Sequence, residues 1–354
     1  MPVKAILVGL IGLTLLIYWP VRQAGFVYED AVYLEPAQRP LGWAQLLAPR
    51  GLTLLSFRVQ WLHGGSDPRA HHAVNLFLHL LCGLLVYAIS VRILSPPAAL
   101  LASALFLVHP IQSEPVAYLA GGRAELIAAV GTLGTVWALS APRLSVGLLN
   151  MAGLSALVAV GGKELGVLAL PLAALYGLWF RPWRWSWRVA GGVFLGLFAF
   201  VSLLGAVFQA RIFGNLYLAM TERGALAYAA LQSFALWQYL ALVLWPFGQT
   251  VDHDVELMSR GLTLVTLTLT LALVPVTLWA RRRWPVISFG MAWLLLALAP
   301  RFIVRQAEYL NEHQVYVAFM GVWIALAASV QSMTRWLTHR YTVEDPCVES
   351  VSPS

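Results

Sequence analysis

Long apolar stretches recur along the chain, separated by short polar segments, and many approach the roughly 20 residues that cross a bilayer as a helix. This pattern predicts an all-α polytopic membrane protein. The predicted helical segments lie at about 4–20, 72–94, 97–109, 124–141, 145–161, 164–180, 189–208, 226–247, 261–280, 285–300 and 313–333.

The basic residues between these segments indicate their orientation, because Lys and Arg accumulate in cytoplasmic loops. The strongest basic clusters are residues 181–188 and 281–283. If segment 226–247 crossed the bilayer, the second cluster would be placed outside. Gln232 and Gln238 also interrupt the apolar face of that segment. We therefore predict a re-entrant or interfacial helix there, ten transmembrane helices in the rest of the bundle, and both termini in the cytoplasm.

This topology divides the chain into one transmembrane domain, residues 1–340, and a short disordered tail, residues 341–354. The main loops on the extracytoplasmic face are 21–71 and 209–260. Ionisable residues collect on that face, as expected of an enzyme of the inner membrane whose active site faces outward. They include Glu29, Asp30, Arg50, Arg58, His109, Glu114, Arg123, Lys163, Glu164, Asp252, Asp254, Arg301, Arg305 and Glu312.

Composition supports a membrane location and argues against a nucleic-acid-binding protein and a disulfide-rich protein. The 354 residues are 60% hydrophobic and 11% charged, whereas soluble domains carry roughly 25% charged residues. The formal net charge of +7 reflects basic cytoplasmic loops, so we predict no nucleic-acid partner. The two cysteines, Cys82 and Cys347, fall in a membrane segment and in the tail, which argues against a disulfide framework.

Glu29 and Asp30 form an acidic pair shortly after the first apolar segment. Neighbouring carboxylates raise the pKa of one member, which suits a general base that works near neutral pH. The alternative is a solvated loop turn, and the sequence alone leaves both interpretations open.

Three further motifs carry candidate chemistry. The run 109–125 combines His109, Glu114 and Arg123 with two prolines and two glycines, and it is either a polar connector or part of a site. Lys163 follows two glycines and is suited to bind a phosphate, or it forms a local ion pair with Glu164. The run 252–254 offers Asp-His-Asp oxygen and nitrogen ligands, but so short a motif favours a structural or substrate-contacting loop over a divalent metal.

Taken in order, these motifs resemble those of the polytopic, lipid-sugar-dependent glycosyltransferases of the GT-C superfamily. Within it, they are most similar to the protein O-mannosyltransferase-like members whose eukaryotic relatives carry tetratricopeptide repeats. The likeness covers about residues 5–333, and a bacterial-type relative without the repeats is expected. The motifs are Phe26-Val27-Tyr28-Glu29-Asp30, Arg50-Gly51-Leu52-Thr53 with Ser56-Phe57-Arg58, His72 to His79, His109 to Glu125, Lys163-Glu164, Trp245-Pro246-Phe247 with Val251-Asp252-His253, and Asn311 to Tyr316.

The sequence departs from the family pattern at two positions. Glu29 stands at the first of two positions that are usually both aspartate. His313 stands where an arginine commonly follows the late glutamate, Glu312.

The resemblance implies a GT-C-type bundle and transfer of a monosaccharide, with inversion, from a polyprenyl-phosphate carrier to an extracytoplasmic hydroxyl. It implies Asp30 as general base with Glu29 beside it. It needs no cofactor, and a metal at Asp252 and Asp254 is not favoured. The acceptor is a protein, a lipid or a glycan. The donor phosphate and sugar would be bound by Arg123, Lys163, Arg58, His109, Glu114, Arg301, Arg305 and Glu312.

Three other functions compete with this one. A transporter or flippase of lipid-linked sugars would show two related halves and polar residues spread through the bilayer midplane. A polysaccharide ligase would use a diphosphate-linked glycan and need not keep an acidic pair after the first span. For a structural membrane protein, the order of the polar motifs would be a coincidence.

Overall fold

The computed structural model describes residues 3–27, 30–48, 50–180, 225–250, 260–303 and 310–343. Within these ranges the ordered elements are all helices, which confirms the all-α prediction. Four 3-10 turns, Trp19–Gln23, Pro110–Gln112, Glu164–Leu168 and Glu312–Val315, connect some of them. The α-helices are α1 (Val3–Tyr18), α2 (Asp30–Ala37), α3 (Trp43–Leu46), α4 (Gly51–Gly64), α5 (Pro68–Ser90), α6 (Pro96–Val108), α7 (Glu114–Ala117), α8 (Ala120–Leu139), α9 (Val146–Gly162), α10 (Ala169–Phe180), α11 (Ala225–Leu244), α12 (Arg260–Arg283), α13 (Pro285–Ile303) and α14 (Phe319–Val343).

Several helices are long and apolar enough to cross a membrane, which makes the chain a multi-pass membrane protein. Shorter apolar helices, at Pro96–Val108, Val146–Gly162 and Glu164–Phe180, lie between some of them. In the part of the chain that the structure describes, a sixth span arises if Pro110–Ala117 and α8, which meet at 111°, are counted as one bent segment. Among the described residues, five helices are each long and apolar enough to cross a membrane without a neighbouring segment: Val3–Gln23, Pro68–Ser90, Ala227–Leu244, Gly261–Arg283 and Pro285–Phe302.

The predicted re-entrant segment, 226–247, corresponds to α11. Its residues Ala227–Leu244 are long and apolar enough to cross a bilayer, so only the positions of the basic loops and its polar interruptions argue that it does not. The predicted span 189–208 lies outside the described residues. Ten crossings and cytoplasmic termini therefore stay predictions.

The closest helix packing positions the polar residues that concern function. Helices α8 and α9 approach so closely that a Cβ atom added to Gly131 would lie 2.2 Å from the backbone nitrogen of Ala159. A Cβ atom added to Gly162 would lie 2.6 Å from the backbone nitrogen of Ala128. Small residues allow this backbone approach in membrane bundles, and it brings the end of α9 against the first turns of α8.

The run 109–125, which the sequence left open as connector or site, forms a 3-10 turn, the short helix α7 and then a sharp bend into α8. Pro110 and Pro115 occupy early helical positions, where proline sacrifices no hydrogen bond. A Cβ atom on Gly122 would lie 2.1 Å from the Pro115 carbonyl oxygen. The bend therefore needs glycine there, and it exposes the start of α8 to the loop that contains Asp30.

Candidate functional site

Asp30 is held by the backbone of two segments that are distant in sequence. It is the first residue of α2 and is only 2% exposed. Its Oδ2 atom accepts a hydrogen bond of 2.7 Å from the Val27 N–H. Its Oδ1 atom accepts one of 2.8 Å from the Ala120 N–H, at the start of α8. The carboxylate thus satisfies an end of α8 that would otherwise lack a partner.

The surroundings of Asp30 favour a proton acceptor. Burial raises its pKa above the usual value for an aspartate, while the N–H groups of Val27 and Ala120 and the charge of His72 act in the opposite direction. A base is most effective when its pKa approaches the working pH. Glu29, the other half of the acidic pair, lies outside the described residues.

Arg123 lies one turn after Ala120 on α8 and is fully buried. Its guanidinium donates to the His71 carbonyl oxygen at 2.8 Å, to the Gln60 side chain at 3.1 Å and to the Asn75 amide oxygen. The guanidinium carbon also lies 4.7 Å from the centre of the Phe57 ring. These partners are neutral, so dipoles and an aromatic face stabilise the charge, and the guanidinium faces protein groups.

The buried Asn75 of α5 connects Arg123 to the α7–α8 bend. Its amide nitrogen donates to the carbonyl oxygens of Pro115 at 3.3 Å and Tyr118 at 3.4 Å, while its oxygen accepts from Arg123. Sequence reasoning did not select Asn75 as a site residue. The only signal for it was a polar side chain within the apolar His72 to His79 motif.

Replacing Asn75 with alanine is expected to destabilise the protein by about 1–3 kcal/mol, because a buried Arg123 donor and several bend carbonyls lose their partner. The change is measured as the apparent free energy of unfolding in mixed detergent micelles. Asn150→Ala, at an exposed position of α9, is the matched control and should be neutral or slightly stabilising. Equal stability of the two variants would contradict the role given to Asn75.

Lys163 and Glu164 are neighbours in sequence but pair with different residues. Lys163, at the end of α9, forms an ion pair with Glu125 of α8, and both side chains are more than 90% buried. The Glu164 carboxylate instead accepts from Arg50 Nε at 3.1 Å. The local Lys163–Glu164 ion pair that the sequence left open is therefore replaced by two contacts to other helices and loops.

Arg50 joins this ionic cluster to α2. Its Nη1 atom donates to the Tyr33 hydroxyl at 2.9 Å while Nε bonds to Glu164. Burial raises the pKa of Glu164, but the positive charges of Arg50 and Lys163, together with hydrogen bonds, outweigh it and lower the pKa below the usual value. Glu164 is therefore an anion at neutral pH.

Glu114 of α7 binds the segment Asn311 to Tyr316, called here the late glutamate motif. Its two carboxylate oxygens lie 2.6 Å from the His313 backbone N–H and 2.8 Å from His313 Nδ1. His313 stands where the resemblance expects arginine, and here it binds a carboxylate by its ring and its backbone. Glu312, beside it, is buried as well.

Two other predicted site residues make structural contacts. His109 accepts from the Ile111 N–H at 3.2 Å by Nδ1, and its Nε2 lies 3.1 Å from the Val243 carbonyl oxygen. Arg58 donates to the Ala37 carbonyl oxygen, at the end of α2, at 3.0 Å. Both side chains brace neighbouring segments.

Arg301 is buried, with its guanidinium carbon 5.8 Å from the centre of the Tyr239 ring. The Tyr239 hydroxyl donates in turn to the Asn311 carbonyl oxygen at 2.9 Å, next to Glu312. Arg305, Asp252 and Asp254 lie outside the described residues.

The structure thus brings the first loop against the start of α8, the end of α9 against α8, and the late glutamate motif against α7, through polar contacts that are mostly buried. These features define a multi-pass helical membrane protein with a polar site built from several distant motifs.

Comparisons with known sequences identify relatives of this protein. The chain is 30% identical to protein O-mannosyl-transferase Tmtc1 of Drosophila melanogaster over 73% of its own length and 35% of that relative. It is 41% identical to human protein O-mannosyl-transferase TMTC4 over 30% of its length and 19% of the relative. It is 35% identical to protein O-mannosyl-transferase Tmtc2 of Drosophila melanogaster over 34% of its own length and 15% of that relative.

The chain is therefore related to protein O-mannosyl-transferases, and its matches span about a third or less of the length of these relatives. No family model matches it, and no solved structure does.

Proposed function

We propose that this protein is an integral membrane glycosyltransferase of GT-C-type architecture. It moves a monosaccharide from a polyprenyl-phosphate carrier to a hydroxyl on the extracytoplasmic side of the inner membrane. The observation that carries the proposal is Asp30, a buried carboxylate at the start of α2 that has a raised pKa and accepts from the first N–H of α8, in a chain related to protein O-mannosyl-transferases.

The proposed reaction is a single displacement at the anomeric carbon. The acceptor oxygen attacks that carbon as its bond to the phosphate oxygen breaks, so the configuration inverts. The hydroxyl proton passes to the Asp30 carboxylate, and the bonding electron pair leaves with the lipid phosphate. Asp30 is suited to this role because its two oxygens accept hydrogen bonds from backbone N–H groups and from no Lys or Arg among the described residues.

Positive side chains near the reaction centre would stabilise the departing phosphate, since charge that develops in a transition state is best met by fixed dipoles and cations. Lys163 is the buried cation of the α8–α9 contact, and Arg301 lies beside the late glutamate motif. Because side chains can meet this charge, the proposed mechanism needs no metal. The names of the relatives favour a protein acceptor, with lipid and glycan hydroxyls as the alternatives.

The test is sugar transfer by the purified protein in nanodiscs from synthetic polyprenyl-phosphate sugars, with mannose first and other sugars after it. Product should form with one donor, with inverted anomeric configuration, and should persist in EDTA. Loss in EDTA that Mn²⁺ or Mg²⁺ restores would return Asp252 and Asp254 to the mechanism. Translocation of a labelled lipid-linked sugar without transfer to any acceptor would contradict the proposal and favour a flippase.

A further inference from the structure

We propose that Arg50 binds the phosphate of the lipid-linked donor, an assignment that rests on the proposed glycosyltransferase function. The resemblance implied Arg123, Lys163 and Arg58 for this role, with Arg301 and Arg305 next, and the first two are the buried cations nearest the α8–α9 contact. Arg50 differs from both in its backbone conformation and its exposure, and from Arg123 in having a guanidinium nitrogen without a hydrogen bond to the described residues.

The backbone at Arg50 is strained. Its φ of 62° places it in the left-handed region, and no other described residue except glycine has a positive φ. Asparagine or glycine would adopt this conformation at less cost. The following residue, Gly51, fixes the corner, because a Cβ atom there would lie 2.1 Å from the Leu46 carbonyl oxygen. Backbone strain of this kind clusters at functional positions, and here the residue carries a large cationic side chain.

The guanidinium of Arg50 is partly open to solvent. Its side chain is 34% exposed, whereas Arg123 is fully buried and the Lys163 side chain is 9% exposed and paired with Glu125. Nε binds Glu164 and Nη1 binds the Tyr33 hydroxyl, but Nη2 makes no hydrogen bond to any described residue. Arg50 therefore has donors available for an incoming anion.

Arg50 also contacts the helix that carries the proposed base. Tyr33 follows Asp30 by three residues on α2, and residues with that spacing share a helix face. The hydrogen bond from Arg50 to Tyr33 thus ties the guanidinium to the helix that carries Asp30.

A phosphate on a lipid fits this arrangement. The planar guanidinium matches two phosphate oxygens at once, and the Tyr33 hydroxyl, which accepts from Arg50, retains its own proton to donate. Glu164 neutralises Arg50 when no donor is bound. During transfer the phosphate oxygen gains the electron pair of the broken sugar bond, and Arg50 stabilises that charge without transferring a proton.

The test compares Arg50→Asn and Arg50→Lys with the wild-type protein in nanodiscs. Asparagine tolerates the left-handed backbone and removes the charge, while lysine keeps a point charge without the planar fork. Two quantities are measured, the KM for polyprenyl-phosphate mannose and the directly titrated affinity for polyprenyl phosphate without sugar. Inorganic phosphate in a parallel titration separates recognition of the lipid-borne group from binding of any phosphate.

We expect Arg50→Asn to raise the donor KM and to lower the affinity for polyprenyl phosphate, each by about tenfold or more, because a charge-assisted hydrogen bond is lost. Arg50→Lys should recover part of this loss. The control Arg69→Asn, which removes an exposed charge from the same predicted outer loop, should change neither. Values for Arg50→Asn within twofold of wild type would overturn the assignment. If the wild type transfers no sugar yet its affinity for polyprenyl phosphate depends on Arg50, the glycosyltransferase proposal fails while the phosphate site stands.

Discussion

Replacing Asp30 with asparagine is expected to lower the rate of sugar transfer at least about 100-fold, the usual contribution of a positioned general base. Asparagine has nearly the same shape and keeps an oxygen for the Ala120 N–H that begins α8, but its NH2 group cannot accept from the Val27 N–H. The variant should lose that one hydrogen bond yet still fold and insert in the membrane, and its donor KM should change little. The rate constant of a single turnover, with donor saturating, is the quantity to measure.

Two control variants sharpen this result. Asp67→Asn changes another carboxylate of the same predicted loop, one that accepts from the Arg69 N–H at the start of α5, and it should retain full activity because asparagine caps helices equally well. Glu29→Gln tests the other member of the acidic pair. Full loss of transfer in Glu29→Gln with retained transfer in Asp30→Asn would move the base to Glu29.

The pH dependence of transfer supplies a second check on Asp30. A base acts in its ionised form, so the rate rises with pH through the pKa of Asp30. Because burial raises that pKa, the acidic limb of kcat/KM should lie at higher pH than an ordinary aspartate would produce. An acidic limb at the ordinary aspartate position would contradict the proposed environment of this carboxylate.

The sequence predicted several of the long apolar helices because each of these needs only a local apolar run of sufficient length. Segment 72–94 corresponds to α5 and segment 285–300 to α13, within a few residues at each end. It also pointed to Asp30, since a carboxylate shortly after an apolar span stands out in so apolar a chain. It could not predict that Ala120, some 90 residues away, would donate to that carboxylate.

The partners of the charged residues were not predictable, because they depend on how closely helices approach. Lys163 meets Glu125 only because Gly131 and Gly162 let α8 and α9 come into backbone contact. Arg123 looked like a phosphate ligand because the sequence shows its charge, whereas its neutral partners come from two other helices. The left-handed backbone of Arg50, a residue with no glycine-like signal, was equally hidden.

The second large effect concerns the buried Lys163–Glu125 ion pair. Lys163→Met or Glu125→Leu alone should destabilise the protein by about 3–5 kcal/mol, because each leaves one buried charge without its counter-ion. The double variant replaces both charges with apolar side chains of similar volume and should recover most of this loss. The apparent free energy of unfolding in mixed detergent micelles gives the coupling energy directly. Strictly additive losses would show that the two side chains do not interact.

The same double variant separates a structural role of Lys163 from a role in catalysis. If Lys163 only neutralises Glu125, then restoring stability also restores sugar transfer. If Lys163 meets the charge of the leaving phosphate, as proposed, the double variant should be stable and still transfer sugar at least tenfold more slowly, since a charge-assisted contact of about 1.5–3 kcal/mol is lost. A stable double variant with wild-type transfer would remove Lys163 from the mechanism and leave Arg50 and Arg301 to meet the charge of the departing phosphate.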